Sequence, residues 1–415
     1  MNLKIALALL FVVTATTTYA QDVFYSEYDK FDYRNDEYSV VGMVDHRLYT
    51  YEYTGGEATL IAYDDSMNKT AKVLLDFFPD KIYQAQFIAY PDKMIVLYQA
   101  IESNNVVQYA ALLDNRGLLK NKPIQIGSVK TGIFGATKAY FSASVSEDKK
   151  TILIYSVDDR GGGVEFDGKW LTDDLTIEKR SKASFSADNK LTHGEVNVGN
   201  DGTVYLAAYT TLGQYNYADQ YYILTLPKGA TAFYPKELAL GEKYAANGYM
   251  KLDNVNGCVY FGGFYADKKN GGYNGIIYAV YDIATGTFPS SKLIPFDGDL
   301  AEAGSSRRVH AFDNYQVKQI IAKGDGGFVL ISEIEYVTTR STYTPGFGYY
   351  SFYSPNMTTI VHDYHFDDIM ALSYTKDGSR EWGAVIPKSQ NSQEDGGVFS
   401  SYSLLNSGGH ACFPV

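Results

Sequence analysis

The chain has 415 residues, 45% of them hydrophobic and 20% charged, with a net charge of −12. That is enough apolar material for a large core, and it excludes a disordered chain. No basic patch relieves the acidic balance, which excludes nucleic acid and anionic membrane as partners.

Residues 1–20 carry a secretory signal pattern: Lys4 as the positive end, an apolar stretch over 5–13, and Thr18, Tyr19 and Ala20 as a small-residue cleavage site before Gln21. The stretch is too short for a transmembrane helix, and no later apolar run could span a bilayer. The mature chain is expected to be secreted, periplasmic or on the cell surface. Beyond this segment, 38 Tyr, 22 Phe and 38 Gly against 2 Trp and 11 Pro favour strands and turns over helices. Two cysteines are too few for a disulfide framework. Cys258 lies in an apolar strand and reads as a buried thiol, with a bridge to Cys412 as the alternative.

From about residue 39 onward one unit recurs: strand, tight turn, strand, connection, then strand, turn, strand. Its leading halves read "AQFIAYPDKMIVLYQAI", "SASVSEDKKTILIYSVD", "EVNVGNDGTVYLAAYTT", "YMKLDNVNGCVYFGGFYAD" and "YQVKQIIAKGDGGFVLISEIEY". Gly-containing pairs in the turns, such as Asp325-Gly326-Gly327, supply the positive φ of tight hairpins. Units start near 39, 84, 140, 195, 247, 314 and 397, a period that points to propellers or solenoids. The second strands, "MIVLY", "ILIYSV", "VYLAAY", "VYFGGFY" and "FVLIS", are apolar throughout. A strand with one wet face alternates, whereas one covered on both faces does not. Four-stranded antiparallel sheets stacked face to face bury their middle strands in this way, so residues 21–415 are read as a single all-β domain, a β-propeller. Two tandem β-sandwiches are the alternative. The unit count favours seven blades, with six and eight open. The last blade, beginning at "GGVFSSYSLLNSGG", is incomplete, and "VFYSEYDKFDYRNDEY" near the N-terminus is the candidate for closing strands.

The sixth unit resembles a repeat of secreted bacterial propellers in which D-G-G and an apolar strand lead, after a loop, to a second apolar strand, D-x-x-G and a Trp. Here these are Asp325-Gly326-Gly327, Phe328 to Ile331, Ile369 to Leu372, Asp377-Gly378 and Trp382. Over residues 314–402 the chain is similar to exported, uncharacterised propeller proteins of Bacteroidetes-type bacteria. The resemblance implies a propeller fold and an exported location more than any activity.

Four connections between second and third strands are enlarged: 158–168, 210–219, 266–275 and 337–365. Loops on a rigid scaffold are common binding sites. Tyr215, Tyr217, Tyr273, Tyr343, Phe347, Tyr349, Tyr350 and Tyr353 gather in them, offering flat amphipathic surfaces suited to a glycan or a protein. Glu333 and Glu335 lie on one strand face roughly 7 Å apart, a separation compatible with glycoside hydrolysis. Asp363, His365 and Asp367 alternate onto one face in a pattern a divalent metal accepts. Set against these, P-loop, G-x-S-x-G, H-E-x-x-H and paired C-x-x-C motifs are all missing from the sequence. The expectation is a monomeric, non-catalytic exported propeller without a cofactor, binding a glycan or an envelope or extracellular protein. The alternatives are a carbohydrate-active enzyme using Glu333 or Glu335, and a purely structural envelope component.

Overall fold

The computed structural model describes residues 24–27, 30, 32, 36–79, 82–130, 140–210, 217–269, 271–296, 314–344, 357–397, 400–407 and 410–413, with backbone alone at 247, 341–344, 357–360, 406, 407, 410 and 411. The signal segment over 1–20 lies outside the described residues. Every named element is a strand, and there is no helix among the described residues.

Among the described residues, six antiparallel sheets of four or more strands follow one another along the chain. The first is β1 (Glu37–Val44), β2 (Arg47–Thr54), β3 (Glu57–Tyr63) and β4 (Lys69–Leu74); the second is β5 (Ile82–Ala89), β6 (Lys93–Glu102), β7 (Asn105–Asp114) and β8 (Ile124–Lys130). The third holds β9 (Ser142–Val145), β10 (Thr151–Asp158), β11 (Val164–Thr172) and β12 (Ile177–Phe185). Next come β13 (Leu191–Val198), β14 (Val204–Thr210), a two-residue β15 (Tyr217–Ala218), β16 (Tyr221–Leu226) and β17 (Tyr234–Leu238). The fifth sheet is β15 at the edge, then β18 (Tyr244–Asp253), β19 (Cys258–Ala266), β20 (Gly275–Asp282) and β21 (Thr287–Pro295). The sixth is β22 (Tyr315–Ala322), β23 (Phe328–Thr344), β24 (Met357–Tyr374) and β25 (Arg380–Ile386), with β26 (Gln390–Gln393) pairing onto β24. These antiparallel sheets are the blades of a β-propeller, six in number among the described residues. The chain divides into two compact units, Met1–Val96 with Ala111–Pro123 and Leu97–Ala110 with Ile124–Val415.

In the second unit, neighbouring residues of one strand enter different cores. On β14, Tyr205 and Ala207 join a cluster with Met250, Val259 and Phe261 of the fifth sheet. Val204, Leu206 and Ala208 join one with Phe166 and Trp170 of the third. On β19, Val259, Phe261 and Tyr265 pack toward the fourth sheet, while Cys258, Tyr260 and Phe264 pack with Ile320, Leu330 and Leu372 of the sixth. Both faces of a middle strand are thus covered, which is why its sequence has no polar alternation. Gly262 marks how closely the sheets approach: a Cβ there would lie 2.8 Å from Leu330 Cδ1 and 3.0 Å from Ile320 Cδ1. Gly262→Val is therefore expected to lose about 1–3 kcal/mol in urea denaturation through overpacking. With open space at that point, valine would instead stabilise the strand.

A second device ties blades together. Tyr260 donates its hydroxyl to the Gly326 carbonyl at 3.0 Å, Tyr278 to the Lys376 carbonyl at 3.3 Å, and Trp170 Nε1–H to the Gly202 carbonyl at 2.7 Å. Each acceptor is a turn of the next sheet. In the first unit, Tyr49 donates in the same manner to the Asn115 carbonyl at 2.8 Å. The turns themselves are held by the Asp-Gly chemistry read from the sequence: Asp325 accepts the Gly327 amide at 2.9 Å, and Gly326 takes φ +83°.

No seventh blade forms among the described residues. After 397 the described residues hold only β27 (Leu405–Ser407) and β28 (His410–Cys412), a two-stranded ribbon. The segment expected to lead that blade lies against the sixth sheet instead: the Ser401 amide donates to Gln390 Oε1 at 2.8 Å, and its hydroxyl donates to Glu333 Oε2 at 2.6 Å. The described residues from 24 to 36 form no strand either. Cys258 and Cys412 are both free, the first buried and the second exposed.

Candidate functional site: a tyrosine-lined cleft

The first strands of several blades share an irregularity. Pairing shifts by one residue between Val40 and Gly42 on β1, His193 and Val196 on β13, Ala246 and Tyr249 on β18, and Val317 and Gln319 on β22. Each is a β-bulge, which breaks the side-chain alternation and re-aims what it carries. On β13 the bulge holds Gly194 and Glu195 opposite the single residue Ala207.

Glu195 enters a cleft of about 410 Å³ whose wall includes Thr192, Tyr209, Tyr221, Tyr249 and Gln316. Thr192 pairs with Tyr209, one residue from the end of β14, so the cleft lies at the end of the sheets that carries the second-to-third-strand connections. One of those connections builds part of it. Its described strand, β15, adds to the edge of the fifth sheet against Ala245 and Ala246 and places Ala218 beside Ala245 in the wall. Tyr209 stacks on Tyr221 at 5.5 Å with 9° between planes, and Tyr221 packs on Phe261 at 4.3 Å.

The polar atoms in this wall are not all paired. Glu195 Oε2 and the Tyr221 hydroxyl are buried without a hydrogen-bond partner. The backbone amides of Glu195 itself and Met250 bond to the carboxyl, yet burial outweighs them and raises its pKa above the glutamate value of 4.5. Burial, then the Glu195 charge, also raises Tyr209, Tyr221 and Tyr249. The sign of the stability effect follows. A carboxyl whose folded pKa is raised costs nothing below its unfolded pKa, and its penalty grows as pH rises from that value to the folded one. The melting temperature of Glu195→Gln minus that of the wild type is expected to rise with pH above about 4.5 and then level off. A difference constant between pH 4 and pH 8 would contradict this placement.

Of the aromatic residues read from the loops, Tyr217 and Tyr273 come together at 6.4 Å, edge to face. Tyr217 donates to the Gly271 carbonyl at 2.6 Å, and Tyr273 stacks flat on Phe264 at 4.7 Å. Tyr343 is described by its backbone only, on β23, and Tyr215, Phe347, Tyr349, Tyr350 and Tyr353 lie outside the described residues. Two of the enlarged loops are shorter than read: β11 already begins at Val164, and β23 and β24 continue as a paired arm from Glu335↔Phe366 to Thr344↔Met357. Their β-branched and aromatic content, "VTTRSTYT" and "MTTIVHDYH", explains the extension.

Glu333 is wholly buried. Its Oε1 lies 2.8 Å from the Lys388 ammonium, an ion pair without an aligned hydrogen bond, and its Oε2 accepts from Ser401 and lies 3.8 Å from Lys318. Glu335 pairs with the same Lys318. A bulge separates the two glutamates, opposite the extra residues Asp367 and Asp368. Asp363 is held by Arg340 at 2.7 Å; His365 stacks on Tyr336 at 4.5 Å and bonds Thr338 at 3.0 Å; Asp367 accepts from Ser389 at 2.9 Å. The Asp363 and His365 contacts join the two strands of the arm, while Ser389 lies just before β26. No group of three His, Cys, Asp or Glu among the described residues is placed to hold a metal.

Sequence reading missed Glu195, Tyr209, Tyr221 and Tyr249. A signal was present: "HGEV" at 193–196 and "NGYM" at 247–250 put a glycine at the same point of consecutive units, where the alternation slips.

No family model matches the chain, and no curated protein matches it. Solved structures to which it is similar include prolyl oligopeptidase B from Galerina marginata, at 9% identity and a TM-score of 0.43 over 86% of this chain and 51% of that one. The β-propeller domain of the Trilobed protease from Pyrococcus furiosus is similar at 12% identity and a TM-score of 0.40, over 86% of this chain and 97% of that one. A hypothetical protein from Leishmania major is similar at 13% identity and a TM-score of 0.27, over 60% of this chain and 80% of that one. The chain spans about half the length of the prolyl oligopeptidase structures it matches.

Proposed function

We propose that the protein is an exported, non-catalytic binding module of the periplasm, cell surface or exterior, holding a glycan or a protein at the end of the blades where the enlarged connections lie. The observation that carries this reading is the position of β15, Tyr217–Ala218. Following β14 of the fourth sheet in the chain, it pairs with β18 of the fifth and completes the wall of a cleft lined by tyrosines. Concave sites of this size with a few convergent polar groups are the usual form of ligand pockets. The signal-like N-terminus and the resemblance to exported bacterial propellers support the location. Within the same face, Glu333 and Glu335 serve as lysine-bound structural groups.

Glycan-array and pull-down measurements test the reading. Tyr217→Ala with Tyr273→Ala removes the hydrogen bond to Gly271 and the ring contacts that fix β15. Binding is expected to fall at least about tenfold, the equivalent of 1.4 kcal/mol. Full retention of binding by a folded double variant would remove the function from this face.

A further inference from the structure

We propose that the Glu195 cleft binds an organic ammonium group, such as the free amine of an amino sugar or of a peptide N-terminus. The inference rests on the binding-module reading and names the chemistry its ligand carries.

Three observations converge on a cation. The first is an unfinished electrostatic arrangement: Glu195 and Tyr221 line the cleft, and Glu195 Oε2 and the Tyr221 hydroxyl are buried without hydrogen-bond partners. Buried carboxylates in folded proteins are normally paired, because an isolated one is costly to desolvate. An ammonium brings a positive charge and three donors, which suits one carboxylate oxygen and one hydroxyl.

The second is the surroundings. Tyr209, Tyr221 and Tyr249 line the cleft together with Glu195, and Tyr209 stacks on Tyr221 at 5.5 Å. Aromatic faces attract organic cations, most strongly where water is excluded. A divalent metal would instead call for several oxygen or nitrogen ligands, and the wall supplies one carboxylate.

The third is that two basic side chains beside lining residues, His193 and Lys318, are committed elsewhere. His193, two residues from Glu195, bonds Asp159 at 2.8 Å. Lys318, next to the lining residue Val317, pairs with Glu335. The β13 bulge takes Glu195 out of the strand's alternation, and the β15 segment closes the wall beside it. The same end of the blades thereby acquires a negatively charged, aromatic recess within an extended loop-bearing surface.

The experiment compares amine-bearing probes with their acetylated counterparts by isothermal titration calorimetry: glucosamine against N-acetylglucosamine, and a tripeptide with a free N-terminus against its N-acetylated form. Wild-type protein is expected to bind one free amine at least tenfold tighter than the acetylated partner, and the pair that responds identifies the source. Glu195→Gln should abolish that preference, while Tyr221→Phe, which keeps the ring, should weaken it severalfold. Affinity for the amine should also fall as pH is lowered and the carboxyl takes up a proton. Equal binding of free and acetylated probes, or an undiminished preference in folded Glu195→Gln, would overturn the ammonium site. If such a variant still binds its glycan or protein in the array and pull-down measurements, the binding-module reading survives; if wild type binds nothing in either assay, both fall.

Discussion

Replacing Lys388 with methionine is expected to destabilise the protein by about 3–5 kcal/mol, the usual cost of stranding one member of a buried ion pair. The Lys388 side chain is 5% exposed and faces Glu333, which is wholly buried. Its ammonium also donates to the Phe366 carbonyl and to Gln390 Oε1, each at 2.9 Å. The Lys318 and Lys388 ammonium groups lie 5.8 and 5.9 Å from the centre of the Phe366 ring. Without Lys388, Glu333 keeps the Ser401 hydroxyl and a share of Lys318 at 3.8 Å, which Glu335 already engages. The double change Glu333→Leu with Lys388→Met removes both charges and should recover most of the loss. Urea denaturation of the three proteins checks this. A single variant within about 0.5 kcal/mol of wild type, the range of ordinary surface changes, would contradict it.

Trp170 is the other position of large effect. It is fully buried, packs on Phe166, and reaches across to the Gly202 carbonyl of the next blade. Trp170→Ala is expected to cost about 3–5 kcal/mol through the cavity it leaves. Trp170→Phe keeps much of the volume but leaves that carbonyl unpaired, for a loss of about 1–3 kcal/mol. Alanine should therefore be clearly the worse of the two. Equal losses would mean that the cross-blade hydrogen bond, rather than the packing, dominates the position.

The blade grammar was legible because it is local. Turn pairs such as Asp325-Gly326 declare positive φ, and an apolar run such as "VYFGGFY" declares two covered faces without reference to any partner. The blade count was less legible, because it depends on what the last segment touches. "VFSSYSLLN" has the apolar spacing of a strand, yet Ser401 satisfies Glu333 and Gln390, and that long-range contact has no local signature. The cleft was hidden for a similar reason. Glu195 reads as an ordinary exposed position of an alternating strand until the bulge shifts it, and Tyr221 reads as one more core aromatic. The pair Glu333 and Glu335 drew notice through spacing alone, whereas Lys388, more than fifty residues away, decides their chemistry.

The central claim is that consecutive residues of a middle strand enter two separate dry cores, and thiol accessibility tests it most directly. In a Cys412→Ser background, which removes the exposed native thiol, Ala207→Cys and Ala208→Cys place probes on opposite faces of β14, at positions that are both 0% exposed. The account predicts that neither thiol reacts with an aromatic disulfide reagent in the native protein and that both react once it is denatured. If either one reacted in native buffer as fast as Cys412 of the parent, one side of the strand would be wet, and the stacked-blade account would be contradicted.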